Sequence, residues 1–112
     1  LSIVRIENVW GKLKQRIKFT VAKRCPVNNK LERGEVVIEY VPRTYIIEHD
    51  SFATVLEKRY SNLKIYHEAF VDDVLNLVWD SVHPKSVTVT ATFLPHKWME
   101  VSCSKTKRRR WF

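Results

Sequence analysis

Glycine is scarce in this chain. Only Gly11 and Gly34 occur among 112 residues, 23 positions apart, and that spacing excludes a glycine-rich loop of the kind that cradles phosphates. The two cysteines, Cys25 and Cys103, stand 78 positions apart. Together with four histidines they form no CxxC or HxxxH pair, so no metal site is expected. The GxSxG turn of a serine hydrolase is missing. No apolar run approaches the roughly 18–20 residues needed to cross a bilayer. The first residues mix charges with apolar groups, unlike a secretory leader. These gaps lead to the expectation of a cytoplasmic protein with reduced thiols and no membrane partner.

What is present suits a folded domain. The hydrophobic fraction is 45%, ordinary for globular chains, and residues 1–112 are read as a single domain with a basic tail at 105–112. A chain this short buries only about 60–70% of its unfolded surface. A pocket would use much of so small a core, which points to assembly into an oligomer. The net charge of +8 falls to +3 once Lys105, Lys107, Arg108, Arg109 and Arg110 are set aside. Those five are the expected RNA contacts, with Trp111 and Phe112 available to stack on bases. A merely solvated charge run is the alternative.

Periodicity predicts the elements. From Lys12 to Val21, Lys12, Lys14, Arg16 and Lys18 alternate with Leu13, Ile17, Phe19 and Val21, which is the period of a strand. Cys25-Pro26 ends it and Asn28-Asn29-Lys30 forms a loop. Glu35 to Val41 reads as a second strand. Ser51 is the expected cap of a short helix from Phe52 to about Tyr60. Val71, Val74, Leu75, Val78 and Val82 make the apolar stripe of a second helix, opened by His67-Glu68 and stopped by Pro84. Val87 to Phe93, alternating with threonines, and Lys97 to Cys103 complete the order β-β-α-α-β-β. That order predicts an α+β layer, an antiparallel sheet with helices on one face, whose open edges again favour a ring-like assembly.

One constellation can carry chemistry. Cys25 ends a strand beside Lys23 and Arg24, cations that favour a thiolate. Glu32 follows seven residues later, placed to face the thiol across a hairpin. Glu68 lies in the first turn of the long helix, where negative charge is favoured. Taken singly, each has a plain structural explanation: a packed cysteine or a helix-dipole partner.

The run from Cys25 to Pro42 (CPVNNKLERGEVVIEYVP), followed by IEHDS at 47–51, His67-Glu68 and VTVTATF at 87–93, resembles the QueF family over roughly residues 12–103. The resemblance implies the tunnelling fold, in which subunits of this element order close into β-barrels. Two stacked pentamers are the form expected here. It implies that Cys25 attacks a nitrile carbon to give a covalent thioimide, and that Glu32, where the family usually has aspartate, protonates the nitrile nitrogen. His67 would help place base or proton. Glu68 would hold the purine-like ring, and Glu48 and Ser51 are counted with it as substrate contacts. The reductases of this family carry a Glu-Ser-Lys-Ser-x-Lys stretch for NADPH. Here Asp50 and Ala53 replace both lysines, and an anion there repels a cofactor phosphate. The resemblance is therefore to the shorter QueF-like branch, which needs no NADPH. That branch converts the nitrile of 7-cyano-7-deazaguanine in transfer RNA to the amidine of archaeosine, with ammonia as co-substrate. A nitrile reductase and a non-catalytic RNA-binding module on the same fold are the alternatives.

Overall fold

The computed structural model describes residues 2–110. Four strands form an antiparallel sheet: β2 (Gln15–Arg24), β3 (Leu31–Val41), β5 (Ser86–His96) and β6 (Met99–Arg108), in the spatial order β2-β3-β5-β6. Two helices, α1 (His49–Tyr60) and α2 (His67–Val82), supply the helical layer. The expected α+β architecture is thus observed. Two short strands, β1 (Arg5–Glu7) and β4 (Tyr45–Ile47), pair with each other as a separate antiparallel ribbon that periodicity did not predict.

The alternation of each strand decides which face it buries. On β5, Val87, Val89, Ala91 and Phe93 are buried, while Thr88, Thr90 and Thr92 face the other way. Their hydroxyls bond across to Thr106, Ser104 and Ser102 of β6 at 2.8, 3.0 and 2.9 Å. On β3, Glu32, Val36, Ile38 and Tyr40 are buried. The cationic stripe of the first strand lies on the exposed face. There, Lys14 pairs with Glu39 and Lys18 with Glu35, so two of its four cations are answered within the sheet.

α2 buries Phe70, Val71, Val74, Leu75, Val78 and Val82 against the sheet. Valine is a poor helix former, at up to ~0.7 kcal/mol each relative to alanine. Full burial of such a side chain stabilises by about 1.5–3 kcal/mol, so the stripe prevails over propensity. α1 buries Phe52, Val55, Leu56 and Tyr60. It is tied to α2 by Arg59, whose guanidinium donates to both oxygens of Asp73 at 2.8 and 2.9 Å. Tyr60 donates to the same carboxylate. The Tyr40 hydroxyl donates to Gln15 and accepts from the Ile47 backbone at 3.0 Å, which seats β4 at the end of β3.

Several boundaries differ from expectation; α1 begins at His49 rather than Phe52, and β5 runs to His96 rather than stopping at Phe93. The first long strand begins at Gln15 rather than Lys12 and ends at Arg24, just before Cys25-Pro26 as expected. β3 begins at Leu31 rather than Glu35, with Glu32 at its start. β6 runs to Arg108 rather than stopping at Cys103. Lys105, Lys107 and Arg108 are therefore strand residues, hydrogen-bonded to β5, and the basic segment is no free arm over that length. Trp111 and Phe112 lie outside the described residues.

Candidate active site

The β2–β3 hairpin brings the first two functional groups together. Its register sets Lys23 opposite Glu32. Lys23 falls on the inward face after Ile17, Phe19 and Val21, and its side chain is fully buried. The ammonium donates to Glu32 Oε1 at 2.7 Å and to the Ile65 carbonyl at 2.8 Å. It lies 4.8 Å from the centre of the Phe93 ring. That carbonyl is in place because residues 62–65, between the helices, run alongside the end of β2. Arg24 donates to Leu63 and accepts from Ile65 through the backbone.

His67, at the start of α2, supplies the third group. Its Nε2 is 3.5 Å from Glu32 Oε2, and its ring stacks on Phe93 with centroids 4.4 Å apart and planes 13° from parallel. Burial, followed by the positive charge of Lys23, holds the imidazole below its ordinary pKa, while Glu32 and Glu68 partly oppose the shift. His67 is therefore neutral at neutral pH. Its Nδ1 is buried and has no hydrogen-bond partner among the described residues.

Phe93 can lie here because of a glycine. Gly34 faces Phe93 in the register, and a Cβ at position 34 would collide with that ring. The second glycine of the chain thus serves a close approach, not a turn.

Cys25 opens the hairpin turn. Its backbone N–H donates to the Lys30 carbonyl and its own carbonyl accepts from Asn29. Asn29 takes a left-handed conformation with φ 59°, which asparagine tolerates better than most residues. Asn28 Oδ1 accepts from the Lys30 N–H at 2.9 Å. The turn therefore holds Cys25, half-buried, two residues beyond Lys23.

The structure brings Glu32 and His67 together and sets Glu68 next along the helix. It differs from expectation in three ways. Glu32 turns its two oxygens to Lys23 and His67, and among the described residues no hydrogen bond joins it to the Cys25 thiol. The cations expected to favour a thiolate are engaged elsewhere: Lys23 with Glu32, and Arg24 with the Asn29 carbonyl at 3.0 Å. Glu48 and Ser51 are used by α1 itself. Glu48, rather than Ser51, is the N-cap, accepting from the backbone of Asp50 at 2.6 Å and Ser51 at 2.9 Å. Those bonds hold its carboxyl below the usual range. Ser51 Oγ accepts from the Val4 backbone. Twelve helical residues, about 18 Å of rise, separate this cap from the end of α1 that leads to residues 62–65.

Lys23 and Phe93 are the members that sequence reasoning missed. For Lys23 the signal was available, since a lysine occupies the position that alternation reserves for an apolar side chain. Cys103 also belongs to this interior. Its thiol is pushed up first by burial and then by Glu68, with Lys23 opposing.

The basic segment is mostly engaged too. Lys105 pairs with Asp72, and Lys107 and Arg109 both lie over the Trp79 ring. Arg109 also donates to the Pro84 carbonyl at 3.1 Å. Arg108 and Arg110 are exposed.

A model of the QueF-like protein family matches residues 32–109, well over half of the chain. The chain belongs to the QueF-like protein family. The matched span takes in Glu32, His67, Glu68 and Phe93; Lys23 and Cys25 precede it. An archaeosine synthase of Pyrobaculum calidifontis is 31% identical over 75 residues, 67% of this chain and 68% of that protein. An NADPH-dependent 7-cyano-7-deazaguanine reductase of Aquifex aeolicus is 30% identical over 71 residues, 63% of this chain but only 54% of that protein. The crystal structure of an archaeosine synthase, QueF-Like, in its apo form superposes with a TM-score of 0.77 at 27% identity, covering 83% of this chain and 91% of that one.

Proposed function

We propose that this QueF-like protein modifies transfer RNA, converting the nitrile of a 7-cyano-7-deazaguanine base to the amidine of archaeosine with ammonia. The observation that carries the reading is a buried carboxylate and a neutral imidazole, Glu32 and His67, beside the turn that presents Cys25. Those are the groups a thiol addition to a nitrile requires: a nucleophile and a proton-transfer pair. The likeness to an archaeosine synthase in sequence and in structure supports the same reading.

Cys25 adds to the nitrile carbon to form a thioimide, ammonia then attacks, and thiolate leaves. Glu32 and His67 move the protons, and Glu68, on the exposed side of the helix start, holds the base. The reaction needs neither hydride donor nor metal. Against reduction stand Asp50 and Ala53 in the first turns of α1, where a dinucleotide phosphate would need cations.

The protein works as a homo-oligomer, with two stacked pentamers the expected form. β2 and β6 are the edge strands of the sheet. A groove of about 820 Å³ between β2 and α1, lined by Ile17, Phe19, Val21, Phe52 and Leu56, offers apolar surface next to one of those edges. Light scattering should report a multimer at micromolar concentration; a monomer would contradict the assembly.

The deciding experiment supplies transfer RNA carrying the nitrile base, together with an ammonium salt. Archaeosine should appear in the nucleoside digest, and NADPH should not be oxidised with the free base even at millimolar cofactor. Stoichiometric loss of NADPH with an aminomethyl product would establish the reductase instead.

A further inference from the structure

Lys23 is the most deeply buried charge among the described residues, with 0% of its side chain exposed. Removing an ammonium from water is costly unless it is paired and hydrogen-bonded. Here the pairing is complete on two sides, with Glu32 at 2.7 Å and the Ile65 carbonyl at 2.8 Å, and the Phe93 ring lies on a third. Yet a fold seldom requires such a pair, because well-packed apolar side chains of similar volume commonly do as well or better. The sheet itself illustrates this, since β5 fills its inward positions with Val87, Val89, Ala91 and Phe93 alone. A charge kept at such expense among a carboxylate, an imidazole and a reactive turn is more simply explained by chemistry than by stability. The titratable groups that face the ammonium are Glu32 from β3, His67 from α2 and Cys103 from β6, while Glu68 acts on His67 and Cys103 from the exposed side of α2.

We infer that Lys23 is a positioning residue for the reaction proposed above, on which this inference rests. It fixes Glu32 with Oε1 committed to the lysine and Oε2 turned toward His67. Glu32 therefore exchanges protons through Oε2, in step with His67. In the first step the Cys25 S–H bond breaks, an S–C bond forms, and the nitrile loses one of its C–N bonds. The thiol proton passes through the Glu32–His67 pair to the nitrile nitrogen. In the second step ammonia nitrogen bonds to the thioimide carbon and gives one proton to the pair. The C–S bond then breaks and sulfur takes that proton back. Nitrile plus ammonia gives amidine, with no oxidant or reductant and with the pair restored.

The test measures the rate at which the protein gains the mass of free 7-cyano-7-deazaguanine, in wild type, Lys23→Met, Glu32→Gln and the double variant, with a melting curve to show that each is folded. If Lys23 acts through Glu32, Lys23→Met should slow the adduct by at least ~10-fold when Glu32 is present, as expected for impaired proton transfer. It should slow it less than about twofold in the Glu32→Gln background, because residues acting as a unit are not additive. Lys23→Arg should recover most of the rate. Should Lys23→Met not fold, Lys23→Gln, uncharged and one atom shorter than the lysine, takes its place in the same comparison. A Lys23→Met protein that reacts at the wild-type rate, or is equally slowed in both backgrounds, would overturn the inference and leave the functional reading standing. A wild-type protein that forms no adduct would remove both.

Discussion

β5 and β2 obey the same alternation and end differently. β5 buries four apolar side chains in succession, from Val87 to Phe93, whereas β2 offers Ile17, Phe19 and Val21 and then Lys23 in the position a fourth would take. One strand keeps its inward face apolar to the end. The other is core until its last turn-ward residue, and there the charge that breaks the pattern is answered by Glu32 across the hairpin and overlooked by His67. A broken apolar register inside a sheet thus identifies the site more sharply than any single reactive side chain.

The largest effect should come just past the break. Cys25→Ala should gain no mass from 7-cyano-7-deazaguanine, while Cys103→Ala should react as wild type. Cys103 faces the same interior, but its thiol is held up by burial and Glu68 and stays protonated, the unreactive form. An adduct that persists in Cys25→Ala would remove the central claim.

Next come the two strands' contributions to stability. Removing one partner of a buried pair leaves an uncompensated charge, at about 3–5 kcal/mol, so Glu32→Leu alone should lower the urea midpoint strongly. Lys23→Met with Glu32→Leu should restore much of that loss, since apolar replacements of a buried pair are often neutral or stabilising by ~1–4 kcal/mol. Adduct formation should not return with it. On the β5 side, Gly34→Ala sets a Cβ against the Phe93 ring and the Thr92 carbonyl, an overpacking of about 1–3 kcal/mol. A Gly34→Ala protein as stable as wild type would mean that Phe93 can leave His67 at little cost.

A smaller effect separates the strands by pH. His67 is held below its ordinary value of 6.5, so the unfolded chain binds a proton there more readily than the folded one. Stability should therefore rise with pH through the window below 6.5, and the contribution is lost as pH falls through it. Melting curves across that window should flatten in His67→Gln. An unchanged pH slope would show that His67 is as open to protonation folded as unfolded.

Much of this was legible in the sequence where burial is one-sided. The α2 stripe and the β5 alternation survive intact because each has one face in the core. Cys25, Glu32 and His67 were legible as a set through their resemblance to a family. β1 and β4 were not, since three residues carry no periodicity, and the ribbon is fixed by distant groups, such as Tyr40 donating and accepting at its end and Glu48 bonding to Val4. The second half of β6 was hidden for the opposite reason. It is an edge strand with exposed residues on both faces, so Ser104 to Arg108 reads as a polar run while its backbone continues the sheet. The Lys23–Glu32 pair needed hairpin register, which composition does not reveal.

That hidden strand sets the last and smallest prediction. Deleting residues 105–112 would remove four residues that pair with Ser86 to Val89, so any weakening of transfer RNA binding would confound charge with fold. Single-charge changes avoid this. Lys105 is engaged by Asp72, and Lys107 and Arg109 by the Trp79 ring, whereas Arg108 and Arg110 are exposed. If the segment binds phosphate, Arg108→Gln with Arg110→Gln should reduce the log–log salt slope of transfer RNA binding by roughly 0.7–0.9 for each phosphate no longer neutralised. Lys107→Gln should change it less, because its ammonium already lies over an aromatic face. Adduct formation with the free base should be untouched by any of these changes. An unaltered slope in the double arginine variant would make the segment a solvated edge strand, and transfer RNA would have to find its cations elsewhere, with Arg16 on the exposed face of β2 the next to neutralise.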